Sequence, residues 1–253
     1  MRLILSLLII ILFSGNLFGR EKGETEITTE DGIEVFQNEK FYLLKKNVKI
    51  ISDNFILEAD DVKINFDKSL YDITKLEAKG NVDFNSTNYQ MQAKGEILQF
   101  EVKFEKIKIK GIDSKLITED VTMFSDGTIR VNNSNGEFSL KGLNSKLVNE
   151  SITIIGESID GIFNNINQKK EITFLNVVDK NISYVQNNDT EMYAKKINFD
   201  NNSSLIELID DVIIIRNGEN ITGDYGTLDT KNNSYKIKSD EETKVKAIIK
   251  NNE

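Results

Sequence analysis

The sequence predicts a nearly all-β protein, and three observations support this prediction. Short stretches alternate strictly between apolar and polar residues, which is the period of half-buried strands. Turn-forming pairs such as Asp126-Gly127 and Asn217-Gly218 separate these stretches. After the first twenty residues, no stretch sustains the apolar spacing of three and four residues that marks a helix.

The alternating stretches begin after a polar segment at residues 21–31 and continue to the end of the chain. One face of each strand is therefore apolar, so the sheet must close on itself or stack on another sheet. In chain order the apolar groups are Val48 and Ile50; Phe55, Leu57 and Ala59; Val62, Ile64 and Phe66; Val82 and Phe84; Met91 and Ala93; Ile107 and Ile109; Val121 and Met123; Ile129 and Val131; Phe138 and Leu140; Ile152 and Ile154; Ile182 and Tyr184; Ile197 and Phe199; Val212 and Ile214; Tyr235 and Ile237; Val245, Ala247 and Ile249.

The first twenty residues have the layout of a secretory signal. Arg2 precedes an apolar run at residues 3–13 that only Ser6 interrupts. A membrane-spanning helix needs about 20 mostly apolar residues, so this run is short for one. We predict a signal peptide at residues 1–20 and a periplasmic protein, with an uncleaved N-terminal anchor as the alternative. The β region then spans 21–253, which we divide loosely, for convenience, into 33–165 and 166–253.

The composition excludes several classes of function. The 253 residues include no cysteine and no histidine, which excludes disulfides, zinc or copper sites on thiolate or imidazole, and histidine-dependent hydrolysis. The formal net charge is −9, whereas binding to nucleic acid needs a basic face. Composition leaves only metals with oxygen ligands, such as calcium or magnesium, conceivable. We predict no cofactor, no metal and no nucleic-acid partner.

Two acidic pairs, Asp60-Asp61 and Asp210-Asp211, are the candidates for a calcium site or a carboxylate acid/base pair. Adjacent residues of a strand point to opposite faces, which argues against a shared site. We interpret them as solvated strand ends and predict no catalytic residue.

The strands are related to one another. Residues 59–67 resemble residues 194–200, and an Asn or Asp followed by Val recurs at Asn47-Val48, Asn81-Val82, Asp120-Val121 and Asp211-Val212. Such a repeat predicts an elongated molecule, because each unit buries its apolar face only against its neighbours.

Four segments resemble the OstA-like family of lipopolysaccharide transport proteins, to which LptA belongs. Leu76 to Val82 is similar to the family's "L-x-A-x-G-N-V", and the chain has similar counterparts of three further family motifs at 57–60, 221–229 and 245–249. The resemblance covers roughly residues 41–110 and 177–250, and it extends to the middle of the chain by pattern alone.

The resemblance implies an elongated, open antiparallel β-jellyroll whose interior receives the lipid A acyl chains of lipopolysaccharide. It implies transport from the inner to the outer membrane, with an LptC-like inner-membrane partner, an LptD-like outer-membrane partner and homo-oligomers joined by strand pairing. Our predicted lipid-binding residues follow the period-two pattern of the strands most like the family: Val48, Ile50, Leu57, Ile64, Phe66, Val82, Phe84, Met91, Val212 and Ile214. The predicted assembly edges lie at Phe41, Val245, Ala247 and Ile249. Because the chain is long for this fold, we also expect additional strands between residues 113 and 190.

Three alternatives remain open at this point. The first is an LptC-like protein of the same fold that residues 3–18 anchor in the inner membrane. The second is a β-solenoid enzyme that acts on polysaccharide through carboxylates. The third is a structural filament or adhesin with a sealed core and no lipid.

Overall fold

The computed structural model describes residues 20–68, 72–166, 169–232, 234–240 and 244–249. The predicted signal segment, apart from Arg20, lies outside these residues. The prediction of an all-β fold is confirmed, since the described chain holds eighteen strands and one short 3-10 helix at Val102–Phe104. The strands are β1 (Glu26–Thr28), β2 (Gly32–Phe36), β3 (Phe41–Ile51), β4 (Phe55–Phe66), β5 (Ile73–Ser86), β6 (Met91–Glu101), β7 (Lys106–Lys110), β8 (Ser114–Thr118), β9 (Thr122–Ser125), β10 (Thr128–Asn132), β11 (Glu137–Val148), β12 (Ile152–Ile166), β13 (Lys169–Asn187), β14 (Thr190–Asp200), β15 (Leu205–Arg216), β16 (Glu219–Asp229), β17 (Ser234–Lys238) and β18 (Lys246–Ile248).

The strands form one antiparallel ladder in chain order. β3 to β6 pair in sequence, β6 then pairs with both β7 and β8, and these continue through β10 and β9 to β11. β11 to β16 again pair in sequence. Two short strands complete each end, β1 and β2 beside β3, and β17 and β18 beside β16. Residues 113–190, where we expect additional strands, hold β8 to β13 and continue the ladder.

A line of register breaks crosses the ladder near the middle of the long strands. We call this line the seam; the pairing of β3 with β4 breaks there between Lys45 and Val48, and the other long pairs break at equivalent places. Such bulges bend a strand. The seam therefore folds the ladder into two facing sheets.

The recurring Asn-Val and Asp-Val motif has a physical reason at the seam. Two successive residues have positive φ at Lys46-Asn47 (65° and 52°), Gly80-Asn81 (74° and 48°) and Asp210-Asp211 (62° and 55°). Glycine, asparagine and aspartate tolerate this left-handed conformation best. The fourth copy, Asp120-Val121, lies instead in the turn between β8 and β9.

Sheet A and sheet B are the two halves of the folded ladder. Sheet A contains β2, β7, β10, β17 and one half of each long strand, and sheet B contains β1, β8, β9, β18 and the other half. In β4, for example, residues 61–66 belong to sheet A and residues 55–58 to sheet B. The division of the chain near residue 165 stays a prediction, and it falls within the β12–β13 hairpin.

The core is a continuous apolar layer between the two sheets. Its fully buried side chains come from both sheets, as Leu98 of sheet A and Leu57 of sheet B illustrate. The bend at the seam closes one long side of this layer. The opposite side, which we call the mouth, is bordered by the hairpin loops of both sheets and is the only long side left open in the described part of the chain.

Candidate functional site

The structure buries all ten residues of the predicted lipid-binding set, each with at most 8% of its surface exposed. Their outward neighbours lie on the wet faces. Lys49 pairs with Glu58 at 2.6 Å between Nζ and Oε1, and Lys94 pairs with Asp83 at 2.6 Å between Nζ and Oδ2. The ten side chains thus face the interior, while their role in lipid binding stays a prediction.

Aromatic rings fill the interior in the N-terminal half of the ladder. The Phe84 ring lies 5.7 Å from that of Phe55 and 6.0 Å from that of Phe100, which belongs to the facing sheet. Tyr89 adds an edge-on contact to Phe100 at 5.2 Å. These rings, together with Ile73, leave a cavity of 310 Å³ at the mouth.

The interior is more open in the C-terminal half. A cavity of 650 Å³ opens at the mouth there, which is within the range of about 300–1,000 Å³ typical of ligand sites. Its apolar lining comes from both sheets and consists of Ile152, Ile172, Leu175, Val185, Phe199 and Ile206.

Two smaller cavities flank the large one along the mouth. One, of 340 Å³, is lined by Met123, Val131 and Phe163, and the other, of 310 Å³, shares Ile206 with the large cavity. We call the three together the mouth groove. Its apolar floor can bury hydrocarbon, which is worth about 25 cal/mol per Å² removed from water.

The rim of the large cavity is acidic. Glu119, Asp120, Glu150 and Glu171 all border it. Carboxylates repel other anions, so this rim does not itself favour the anionic part of an amphiphile. The mouth groove is therefore suited to apolar chains.

Of the ten predicted residues, Phe84 alone lines one of the four mouth cavities described above. Sequence analysis identified the strands of Ile152, Ile197 and Phe199 but selected candidates only from strands most like the family. Leu175 and Val185 lie in the long β13, outside those strands. The alternating pair expected to face inward in β13, Ile182 and Tyr184, points outward instead, since Ile182 is 37% exposed and the intervening Ser183 is buried. The alternation of Leu175 with Val177 was the available sign of an inward face, although it does not reveal an unfilled space.

The N-terminal assembly edge differs from our expectation. Phe41 lies in β3, which pairs on both sides, and Phe41 itself lies opposite Phe36 and Asn65. The edge is instead formed by β1 and β2, because residues 26–36 add two short strands where the sequence suggested a polar lead-in. On β2, Ile33 and Val35 are each 47% exposed.

At the other end of the ladder, the predicted segment lies at an edge of the described structure. Ala247 of β18 lies opposite Ile221 of β16, and no strand of the described residues pairs with the far side of β18. Val245 and Ile249 are 46% and 65% exposed. Both ends of sheet B, at β1 and β18, thus present backbone groups that no described strand pairs with.

The acidic pairs serve the seam rather than a shared site. The two carboxylate oxygens of Asp60 accept hydrogen bonds from Asn81 Nδ2, at 3.1 Å to Oδ1 and 3.0 Å to Oδ2. Lys195 Nζ lies 2.9 Å from Asp211 Oδ2. Within the described residues, no group of three or more acidic side chains is arranged to hold a metal ion. The same part of the chain holds no helix long and apolar enough to cross a membrane.

Residues 26–137 match the family model described as LptA/(LptD N-terminal domain) LPS transport protein. Among solved structures, the chain resembles that of LptH, the LptA homologous periplasmic component of the lipopolysaccharide transport device from Pseudomonas aeruginosa, with a TM-score of 0.40 and 15% identity. That likeness covers 52% of this chain and 95% of LptH. No curated protein matches the sequence.

Proposed function

Since residues 26–137 match the model of the LptA/LptD N-terminal family of lipopolysaccharide transport proteins, we propose that the chain is an OstA-like protein that carries lipopolysaccharide across the periplasm without catalysis. The acyl chains of the lipid lie in the mouth groove, and the saccharide stays outside. The observation that supports this most is the 650 Å³ cavity with an apolar lining from both sheets at the open side of the jellyroll.

Burial in the groove accounts for the binding of acyl chains. Each CH₂ group that leaves water gains about 0.8 kcal/mol, and the same gain is available in a membrane. The groove therefore offers an acyl chain an environment comparable to the one that it leaves. Three cavities along one mouth suit a cargo with several chains or a cargo that moves along the ladder.

The exposed edges support a place in a bridge. An unpaired edge strand is a template for another chain, and main-chain hydrogen bonds need no specific side chain. We propose that β1 and β2 at one end, and β17 and β18 at the other, pair with further copies or with LptC-like and LptD-like partners. An anchored, LptC-like protein of the same fold differs in the fate of residues 1–20. N-terminal sequencing of the exported protein separates the two, since a start near Glu21 excludes the anchor.

The test of the groove is a matched pair of variants in β13. Val185 is buried and lines the large cavity, whereas its neighbour Gln186 points to the outer face. Val185→Trp should fill the cavity and reduce lipopolysaccharide binding at least fivefold, measured by native mass spectrometry of the purified protein with added lipid. Gln186→Trp should bind like the wild type. Equal binding by both variants, or no lipid on the wild type, would contradict the proposal.

A further inference from the structure

A second cavity, of 640 Å³, lies on the outer face of sheet A, and we call it the outer cleft. It extends over β6, β7 and β10 to β13. Lys106, Lys108 and Arg130 line one end, and Ile162 and Phe174 line the other. One end therefore carries three cations and a single carboxylate, Glu101, which lies opposite Lys106. The other end is apolar, and Glu137 and Asp160 lie between the two.

Three cations at and beside the outer cleft, Lys108, Arg130 and Lys110, are close together and form no ion pair with a carboxylate of the described residues. Lys108 lies directly opposite Arg130 in the pairing of β7 with β10, and Lys110 is two residues further along the same face of β7. Like charges in directly opposite positions destabilise a sheet. Among the described residues, none of these three forms an ion pair with a carboxylate.

Other observations also support the binding of an anion by Lys108 and Arg130. Burial, and then the charges of Lys110 and Arg130, lower the pKa of the Lys108 ammonium group. The chain as a whole carries 41 acidic and 32 basic residues, so a group of unpaired cations stands out. A bound oxyanion would accept charge-assisted hydrogen bonds from Lys108 and Arg130, which are stronger than neutral ones.

The other end of the outer cleft suits a sugar ring. The Phe174 side chain is 43% exposed and lies opposite Ile162 in the pairing of β12 with β13. These two side chains offer an apolar surface to one face of a sugar ring. The polar lining supplies both donors and acceptors for hydroxyl groups from Gln99, Glu101, Asn132, Glu137, Ser139 and Asp160.

The outer cleft lies just beyond the lip of the mouth groove. Val131 lines both the outer cleft and the 340 Å³ cavity of the groove, and the β10–β11 hairpin at residues 133–136 forms the lip between them. A molecule with chains in the groove has only to pass this hairpin to reach the cleft. The acidic rim of the large cavity offers its anionic groups no comparable partner.

We propose that the outer cleft binds an anionic saccharide, with its phosphate or carboxylate on Lys108 and Arg130 and a sugar ring on Phe174. The proposed saccharide site rests on the proposed function for the identity of the cargo. The acyl chains of that cargo occupy the groove on the other face of the same strands. The outer cleft would thus recognise the saccharide of the lipid, while the mouth groove buries its acyl chains.

The test uses the full mature chain and a ligand without acyl chains. Isothermal titration calorimetry with deacylated, phosphorylated lipopolysaccharide oligosaccharide should show binding to the wild type. Lys108→Gln combined with Arg130→Gln should weaken it at least tenfold, and Phe174→Ala should weaken it at least threefold. The matched control, Lys196→Gln with Lys236→Gln, removes two charges from the same sheet elsewhere and should change nothing. Thermal melts should show that all variants fold.

Further arms define the ligand. If the bound anion is a phosphate, the dephosphorylated oligosaccharide should bind weakly. If the bound anion is a carboxylate, it should bind as tightly as the phosphorylated oligosaccharide. The proposal is overturned if the Lys108 and Arg130 variant binds the oligosaccharide normally, if inorganic phosphate alone binds as tightly, or if an acidic peptide does. Val185→Trp should leave oligosaccharide binding unchanged, and the Lys108 and Arg130 variant should still take up acyl chains. A failure of the proposed saccharide site can therefore be distinguished from a failure of the proposed acyl-chain site.

Discussion

The interiors of the two halves of the ladder differ although their strands alternate in the same way. In the N-terminal half Phe55, Phe84 and Phe100 meet between the sheets, whereas in the C-terminal half aliphatic side chains such as Leu175 and Val185 leave 650 Å³ open at the mouth. The difference lies in side-chain volume and not in strand pattern. It teaches that period-two alternation defines which residues face inward but not whether they fill the space.

The largest effect is expected where the packed half is disrupted. Phe84→Asp places a carboxylate without a partner among aromatic rings, so the protein should not fold. Phe84→Ala should lower the free energy of unfolding by about 3–5 kcal/mol in urea titrations, through lost burial and a residual cavity.

Asp83→Ala is the control on the opposite face of the same strand. It removes only an exposed ion pair with Lys94, and exposed ion pairs contribute little to stability because solvent screens them. Equal losses from the changes at Asp83 and Phe84 would refute the inward register.

The seam should be the next most sensitive place. Gly80 has a φ of 74°, and a Cβ added there would lie within 2.1 Å of Asp60 Oδ2. Gly80→Ala should therefore cost about 1–3 kcal/mol in the same titration. Combining it with Asp60→Ala removes the carboxyl group but leaves the Cβ of residue 60 at 2.8 Å and the backbone strain, so it should recover only part of the loss. A fully stable Gly80→Ala would contradict the proposed role of the seam.

A bulky side chain should distinguish the two interiors directly. Val185→Trp extends into the open cavity and should change the free energy of unfolding by less than about 1 kcal/mol. Ala78→Trp, at a fully buried site in the packed half, overpacks the core and should cost at least about 1–3 kcal/mol. Chemical denaturation of the two variants measures this, and similar losses would mean that the C-terminal half is also sealed.

The sequence predicted most strands and their inward faces because alternation is a local property that each strand carries in its own residues. In β13 the predicted face was wrong: Ile182 is 37% exposed, whereas Ser183 and Val185 are buried. The register break between Val178 and Ser183 shifts the alternation there. The sequence did not predict the free edge at β1 and β2, because these strands are only three and five residues long. In addition, β1 lies within the polar stretch at residues 21–31 and β2 directly follows it. The sequence also did not predict the groove at Leu175 and Val185, because an unfilled space depends on the combined volume of side chains from strands far apart in the chain. The cations of the outer cleft likewise come together only through the pairing of β7 with β10.

The smallest expected effect concerns the outer face of sheet B. This face carries ion pairs in the N-terminal half and, in the C-terminal half, the rings of Tyr184 and Tyr193, whose centroids lie 4.9 Å apart at an interplanar angle of 49°. Burial, followed by a hydrogen bond to Glu191, raises the pKa of Tyr193 to about 12. A pKa raised on folding favours the protonated phenol, so this contribution is present below about pH 10 and is lost as the pH rises toward 12. Urea midpoints should fall over this window. Tyr193→Phe should reduce the fall, and an unchanged fall would show that Tyr193 does not contribute to it.

The most direct test of the central claim compares photo-crosslinking to lipopolysaccharide along the interior. A benzophenone side chain at Leu175 or Phe199 probes the open half, and one at Leu57 or Ile64 probes the packed half, with probes at Asn176 and Glu58 as outward controls. The account predicts that the open half crosslinks at least severalfold more lipid than the packed half, and that the outward controls crosslink little. Equal yields in both halves, or a higher yield in the packed half, would contradict the assignment of the cargo to the mouth groove.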